Sequence, residues 1–233
     1  MSYRPDRPPS IGEYYHVYNR GVEKRVTFND DRDYQRFLEI VEYYLPPNRA
    51  ISFSQRNRFH RPEPDIQHRV LDIRQRDIIS TPLAPLIEIV AFCLMPNHFH
   101  FLIKVISEAG LQNWIRLIIN SYTRSFNIRW DRVGPLFQGP YKFVHISSNN
   151  QLLHLSRYIH LNPVIAKLTI KTSDWRWSSM HYYHHPPQIS WLKPRVILDQ
   201  FRTLADYEQF IEDHIAYASS VASINKLLID PDN

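Results

Sequence analysis

The sequence predicts an α+β fold in which helices pack on one face of an antiparallel sheet. Short segments rich in aromatic and β-branched residues alternate with longer segments whose apolar residues recur every three or four positions. Two of the strand-like segments are separated only by a Pro-Asn turn, which favours antiparallel pairing. With 233 residues, of which 43% are hydrophobic, the chain can bury a substantial core.

A strand followed by a helix opens the predicted order. Residues 14–20 are rich in aromatic and β-favouring types and stop at Gly21. Alternation along this strand places three side chains on one face, namely His16, Tyr18 and Arg20. Asn29 and Asp30 can both cap a helix, and the apolar residues after them recur at helical spacing until the prolines at 46–47. These signals bound the first helix.

A long irregular segment then interrupts the pattern. Residues 46–86 have no sustained apolar period and hold seven Arg against four acidic residues. We interpret the segment as a basic excursion between two core elements. It is either a flap that contacts a polyanionic partner or a disordered insert, and the sequence leaves both open.

The next two elements form a predicted hairpin of buried strands. The first covers 87–95, a turn follows at 96–97, and the second begins at His98. The second strand directs Phe99, Phe101, Ile103 and Val105 to one face, and His98, His100, Leu102 and Lys104 to the other. Two histidines therefore project from the same face, with Cα atoms about 6.5 to 7 Å apart.

A helix, a strand region and a further helix complete the core. Residues 111–130 have helical apolar spacing, and 136–146 predict one strand or a pair of short strands. The last helix begins near Ser148 and is expected to end or kink at Pro163. The resulting strand-helix-strand-strand-helix-strand order predicts a ferredoxin-like or RRM-like antiparallel core, with one helix added after it.

Charged residues are distributed unevenly between the main part of the chain and its C-terminal end. Residues 1–181 are expected to form the main domain, and 182–233 a helical extension with one or two amphipathic helices around 206–229. Residues 199–233 carry a net charge of −5, which leaves about +10 for 1–198. A basic body suits a polyanionic partner such as nucleic acid, because neutralised phosphates release counterions. A solvated basic surface is the alternative.

Composition excludes several classes of protein and site. No stretch approaches 18 consecutive apolar residues, and the first residues have no apolar run of signal-peptide type. We therefore expect a cytoplasmic protein with no membrane partner. Cys93 is the single cysteine, which excludes an intrachain disulfide and a multi-cysteine zinc site. Any metal must be held by histidine and oxygen ligands.

Two longer motifs resemble those of a known family. The run FCLMPNHFHFLI at 92–103 resembles the histidine-hydrophobic-histidine metal strand of HUH single-tyrosine transposases, in particular the REP-associated tyrosine transposases. The run RYIHLNPV at 157–164 resembles the catalytic tyrosine segment of that family. Weaker matches are HVYNRG at 16–21, GPLFQG at 134–139 and WSS at 177–179. The resemblance covers roughly residues 11–181.

The resemblance implies an enzyme that cleaves single-stranded DNA and transfers the cut strand. Tyr158 would attack the scissile phosphodiester and give a 5'-phosphotyrosine and a free 3'-hydroxyl. His98 and His100 would hold a divalent metal, with Mg or Mn expected, that polarises a phosphate oxygen. Asn162 stands where the family often has a third, oxygen-donating ligand. Its alternative role is a helix C-cap before Pro163.

Other candidate residues surround this set. A tyrosine phenol is mostly protonated at neutral pH, so a metal or a base must help Tyr158 to ionise. His154, one helical turn earlier, is an auxiliary candidate, with a solvent-facing or DNA-contacting role as the alternative. The candidate DNA contacts, in which the two tyrosines would stack on unpaired bases, are Arg20, Lys24, Arg116, Tyr122, Arg124, Tyr141 and Lys142.

The implied partner is single-stranded or hairpin DNA, and the protein would be nucleoid-associated when bound to it. The family includes monomeric and dimeric arrangements, so a homodimer stays open. Two other functions also stay open. One is a noncatalytic DNA or RNA hairpin-binding protein that keeps the fold, and the other is a metal-dependent hydrolase with water as nucleophile. The second alternative lacks obvious carboxylate ligands in the sequence.

Overall fold

A four-stranded antiparallel sheet lies at the centre of the computed structural model, which describes residues 8–47, 53, 85–184 and 189–213. Its strands are β1 (Tyr14–Arg20), β2 (Ile87–Met95), β3 (His98–Val105) and β4 (Lys142–Ile146), in the order β2-β3-β1-β4. The helices are α1 (Asp31–Tyr43), α2 (Gly110–Arg129), α3 (Asn149–Ile165), α4 (Ser179–His184), α5 (Arg195–Leu198) and α6 (Leu204–Glu212). This connectivity confirms the predicted ferredoxin-like core.

The two faces of the sheet carry separate cores. Phe99, Phe101 and Ile103 of β3 belong to the cluster beneath α1 and α2. Leu102 belongs to the opposite cluster, which also contains Ile159 of α3. The alternation predicted along β3 is therefore confirmed. The helices are not confined to one face, because α3 and the helices after it cover the face from which the two histidines project.

The helix α1 begins where the sequence predicts. The Asp30 side chain accepts hydrogen bonds from the backbone N–H groups of Arg32 and Asp33, which is a typical N-cap. Arg129 at the end of α2 donates to Asp30 at 2.6 Å and to Asp33 at 2.5 Å. The Arg129 guanidinium is the main reason why the pKa of Asp30 is lowered. These ion pairs tie α1 to α2.

The outer edge of β2 is covered by chain that follows α3. The backbone N–H of Leu94 donates to the Trp177 carbonyl at 2.9 Å. The backbone N–H of Phe92 donates to the Ser179 hydroxyl, also at 2.9 Å. The triplet at 177–179 is buried and serves to close a sheet edge, which would otherwise offer unpaired backbone groups to another chain.

Two element boundaries differ from the predictions. Only Lys142–Ile146 of the region 136–146 forms a strand, while Phe137 makes an isolated bridge to Gly21. The helix α3 continues past Pro163 and ends at Ile165, so Pro163 does not end the helix. A proline lacks one backbone donor, and the neighbouring turns of α3 remain helical around it.

The predicted basic excursion at 46–86 and the predicted C-terminal extension at 182–233 lie partly outside the described residues. Almost all of the predicted basic excursion, at 48–52 and 54–84, lies outside them, as does the end of the chain at 214–233. Within the extension, α6 is helical and packs on α3 through Tyr207 and Ile211. The domain boundary after residue 181 stays a prediction. Among the helices in the described ranges, none is long and apolar enough to cross a membrane.

Candidate active site

The strands β1 and β3 direct a group of polar and aromatic side chains to the sheet face beneath α3. In the antiparallel register Tyr18 pairs with His100, and Arg20 pairs with His98. His16 lies one pair further along the same face and is diagonal to His100. The two strands therefore bring a third histidine to the predicted pair.

His16 and His100 are joined by a buried hydrogen bond. The Nε2 atom of His16 lies 2.9 Å from Nδ1 of His100, and the two rings are stacked at 5.1 Å with an interplanar angle of 19°. Burial lowers the pKa of His16 to about 3. Burial, followed by the charge of neighbouring His98, holds the pKa of His100 well below its usual value. Both imidazoles are neutral at neutral pH.

His98 is oriented by the residue before it in the β2-β3 turn. Its Nδ1 atom lies 2.6 Å from Oδ1 of Asn97, whose amide nitrogen donates to the Lys24 carbonyl at 3.1 Å. Since this oxygen can only accept, Nδ1 of His98 carries the proton and Nε2 keeps its lone pair. Burial and then the nearby Arg20 charge lower the pKa of His98 to about 4. His98 therefore offers one nitrogen ligand.

The donor atoms of His98 and His100 suit a divalent cation. The His98 and His100 rings lie 4.9 Å apart and nearly perpendicular, at 87°. The Nε2 atom of His100 is buried and has no hydrogen-bond partner, which is unfavourable unless another group satisfies it. Among the described residues, no group of three or more His, Cys, Asp or Glu side chains is placed to hold an ion. The remaining ligands would have to be amide, water or phosphate oxygens.

The helix α3 brings Tyr158 to the histidines. Its ring packs edge-on against His100, with centroids 5.4 Å apart and planes at 83°, and against His16 at 6.3 Å and 80°. Ser148 caps this helix by accepting from the backbone N–H of Gln151. Tyr158 is half-buried, so the phenol lies at the border between the core and solvent. The two motifs that were matched separately in the sequence meet at this point.

Asn162 lies one turn after Tyr158. Its side-chain nitrogen donates to the Tyr158 carbonyl at 2.8 Å. Because α3 ends at Ile165 and its C-cap is Ala166, the C-cap role for Asn162 is wrong. The internal bond uses the nitrogen of the amide rather than the oxygen that would bind a metal, so the ligand role stays a prediction.

His154 is solvent-facing, as its alternative role requires, and its auxiliary role stays a prediction. The side chain is exposed, and its Nδ1 atom lies 2.5 Å from the Arg157 guanidinium. The His154 ring also packs beside Phe210 of α6, with centroids 6.1 Å apart. These contacts join α3 to α6.

Tyr122 cannot act as a base-stacking surface, so this prediction is wrong. The side chain is 1% exposed, and its hydroxyl donates to the Thr27 carbonyl at 2.6 Å. Its ring packs against Phe28 and Phe37 between α1 and the sheet. Tyr122 belongs to the apolar stripe of α2 that faces the core. Burying its aromatic ring there stabilises the fold.

The other candidate DNA contacts are distributed over two faces. Arg20 stands beside His98, and the exposed Lys24 follows β1 in a short 3-10 turn. Arg116 and Arg124 are exposed on α2, which packs on the opposite face of the sheet from the histidines. Of the half-buried pair Tyr141 and Lys142, Lys142 begins β4 and Tyr141 directly precedes it. All six stay predictions.

Sequence reasoning gave no role to two buried histidines. His16 was placed on the correct face but without a partner, although it opens the matched HVYNRG run. His160 in α3 lies 2.8 Å from the Tyr207 hydroxyl and 2.6 Å from that of Ser179. Tyr207 in turn donates to Ser156 at 3.1 Å. No sequence signal locates this network, because its members are joined only by tertiary packing.

A comparison with known protein families finds a match that includes the histidines of β3 and Tyr158. Residues 68–162, which include the histidine strand and Tyr158, match the family model described as transposase IS200 like. Over these residues, the resemblance predicted from the sequence is confirmed. No curated protein matches the chain.

A solved structure is similar to this chain in fold. It is described as a REP-associated tyrosine transposase bound to a REP hairpin. The two share 17% sequence identity and a TM-score of 0.54, over 81% of this chain and 88% of the other. At this identity the similarity establishes the common α+β architecture.

Proposed function

We propose that the chain is a metal-dependent endonuclease and strand transferase that acts on single-stranded DNA at hairpin-associated sites. The contact between Tyr158 and His100, on the face where His100 keeps a buried nitrogen without a partner, carries this proposal. The IS200-like match supports transposition as the class of activity. The similarity to a transposase bound to a REP hairpin supports hairpin DNA as the partner.

Tyr158 is the proposed nucleophile. Its phenol oxygen would form a bond to the scissile phosphorus while the bond from phosphorus to the 3'-oxygen breaks. The phenol loses its proton, and the departing oxygen gains one to become a free 3'-hydroxyl. The product is a 5'-phosphotyrosine on α3. Because one phosphodiester replaces another, a later 3'-hydroxyl can reverse the step and join a new strand.

The sheet face would orient the phosphate. A divalent cation held by His98 and His100, with Asn162 as a third candidate ligand, would polarise a nonbridging oxygen and stabilise the charge of the transition state. The two imidazoles are neutral at physiological pH, so they can offer lone pairs without first losing protons. Arg20, beside His98, adds a positive charge at the same end of the sheet.

The proposal is tested by trapping the covalent product. The protein would be incubated with Mn²⁺ and fluorescent hairpin oligonucleotides that carry single-stranded flanks, taken from the DNA next to its coding region. We expect a band that survives denaturing electrophoresis and is absent in Tyr158→Phe. Tyr182→Phe is the matched control, since Tyr182 packs on Phe92 away from the histidine face and its variant should still form the adduct.

The outcomes separate the competing functions. Cleavage without an adduct would indicate water as the nucleophile and overturn the role of Tyr158. Tight hairpin binding with neither cleavage nor adduct, unchanged by Mn²⁺, would favour a noncatalytic hairpin-binding protein. Loss of the adduct in His100→Ala with hairpin binding retained supports the metal site.

A further inference from the structure

His16 is buried beside the candidate metal pair and is packed between aromatic rings. Its side chain is 4% exposed, and its ring stacks on Tyr18 at 4.7 Å and on His100 at 5.1 Å. The Tyr158 ring on α3 packs against His16 with centroids 6.3 Å apart and planes at 80°. The 2.9 Å bond from Nε2 of His16 therefore meets Nδ1 of His100 in a defined direction.

This bond has two arrangements of the proton, since each neutral imidazole has one N–H. If His16 donates, His100 must carry its own proton on Nε2, which becomes a buried donor without a partner. If His100 donates from Nδ1, its Nε2 has a lone pair directed away from His16. Only the second arrangement produces a nitrogen that can bind a cation.

We propose that His16 is a positioning residue that accepts the Nδ1–H of His100 and thereby presents the Nε2 lone pair of His100 to the metal. This inference rests on the proposed function for the presence of the ion. Metal-binding histidines in proteins commonly donate their second nitrogen to a fixed acceptor, which sets both the tautomer and the ring orientation. In this chain the acceptor is a second imidazole on the neighbouring strand rather than a carboxylate or a carbonyl.

The sheet register explains why His16 can take this role. His16 pairs across the strands with Leu102, and its diagonal neighbour on the same face is His100. Diagonal side chains in an antiparallel sheet are within reach of long or aromatic groups. Tyr18, directly opposite His100, packs against the flat side of both rings and keeps them aligned.

Three variants of His16 test the inference, because they differ in whether a polar atom remains at the position of Nε2. The nitrogen and oxygen of a glutamine amide stand near the position of Nε2 in histidine, whereas those of asparagine stand near Nδ1. His16→Gln should therefore retain an acceptor for His100, and His16→Asn and His16→Leu should not. Mn²⁺ affinity would be measured without DNA by electron paramagnetic resonance. We expect His16→Gln to bind close to wild type, and the other two to bind about 10- to 100-fold more weakly.

Histidine NMR of the ¹⁵N-labelled wild-type protein reads the tautomer directly. We expect the proton of His100 on Nδ1 in the metal-free protein. A proton on Nε2 overturns the inference, as does Mn²⁺ binding that is equal in all three variants or reduced equally in His16→Gln and His16→Asn. This measurement requires neither a variant nor metal, so misfolding of a variant does not prevent the test.

His145→Gln is the matched control. His145 lies on β4 of the same sheet and is exposed beside Glu13, so its replacement should leave Mn²⁺ affinity unchanged. Thermal unfolding and hairpin binding in EDTA identify a His16 variant that has lost its fold. A wild-type protein that binds Mn²⁺ and has the expected tautomer, but forms no DNA adduct, would defeat the proposed function and leave this inference standing.

Discussion

The ring of Tyr158 meets the ring of His100 edge-on at a centroid distance of 5.4 Å, and both belong to the same chain. This contact predicts that one subunit supplies both the nucleophile and the metal pair. Tyr158→Phe and His100→Ala, each inactive alone, should therefore stay inactive when mixed. The measurement is adduct formation in the mixture after refolding the two proteins together. Recovery of activity would show that α3 is exchanged between subunits.

Tyr207→Phe should destabilise the protein. The hydroxyl lies 2.8 Å from Nδ1 of His160 and 3.1 Å from Ser156, and all three side chains are buried. Its removal leaves polar groups without a partner, which costs about 1 to 3 kcal/mol in free energy of unfolding.

Urea denaturation measures this cost. Tyr182→Phe, a change of the same size at a half-buried tyrosine, should shift the free energy of unfolding by less than about 0.5 kcal/mol. Equal unfolding midpoints for Tyr207→Phe and wild type would show that the network contributes nothing to stability.

Stability should decrease in mild acid. Burial lowers the pKa of His16 and His160 to about 3 and that of His98 to about 4, whereas an unfolded histidine titrates near 6.5. Below pH 6.5 the unfolded chain therefore binds more protons than the folded one. Stability is fully present above that pH and falls as the pH decreases, by up to about 1.4 kcal/mol per pH unit for each such histidine.

Urea midpoints at pH 7.5, 6.5 and 5.5, measured without metal, test this dependence. His16→Gln should make the decline shallower, because one buried titrating group is removed. Tyr182→Phe removes no histidine and should leave the slope as in wild type. A free energy of unfolding that is constant from pH 7.5 to 5.5 would contradict the lowered pKa values.

Asn162 variants separate a metal ligand from a helix contact. The side-chain nitrogen bonds to the Tyr158 carbonyl, and the oxygen is the atom that would reach a cation. Asn162→Asp keeps an oxygen ligand and should retain Mn²⁺ affinity, while Asn162→Ala should lose about 10-fold or more. Calorimetric titration with Mn²⁺ measures both. If Asn162→Ala binds as tightly as wild type, the third ligand is not Asn162.

Most of the core architecture was predictable because it depends on local periodicity. The alternation of β3, the cap at Asp30 and the spacing along α2 each follow from short-range patterns that backbone geometry imposes. The strand limits of β1 and of the β2-β3 hairpin also agree with the sequence predictions. The interpretation of Tyr122 failed because its aromatic character was considered apart from its inward helical position.

The sequence by itself determined that His98 and His100 share one face of a strand, since side chains alternate with a period of two residues. Only the tertiary structure decided which groups meet that face. The bond from His16 to His100 joins residues 84 positions apart, and that from His160 to Tyr207 joins residues 47 apart. Such contacts depend on strand register and on how helices dock, and these are set by packing of the whole core rather than by any local pattern.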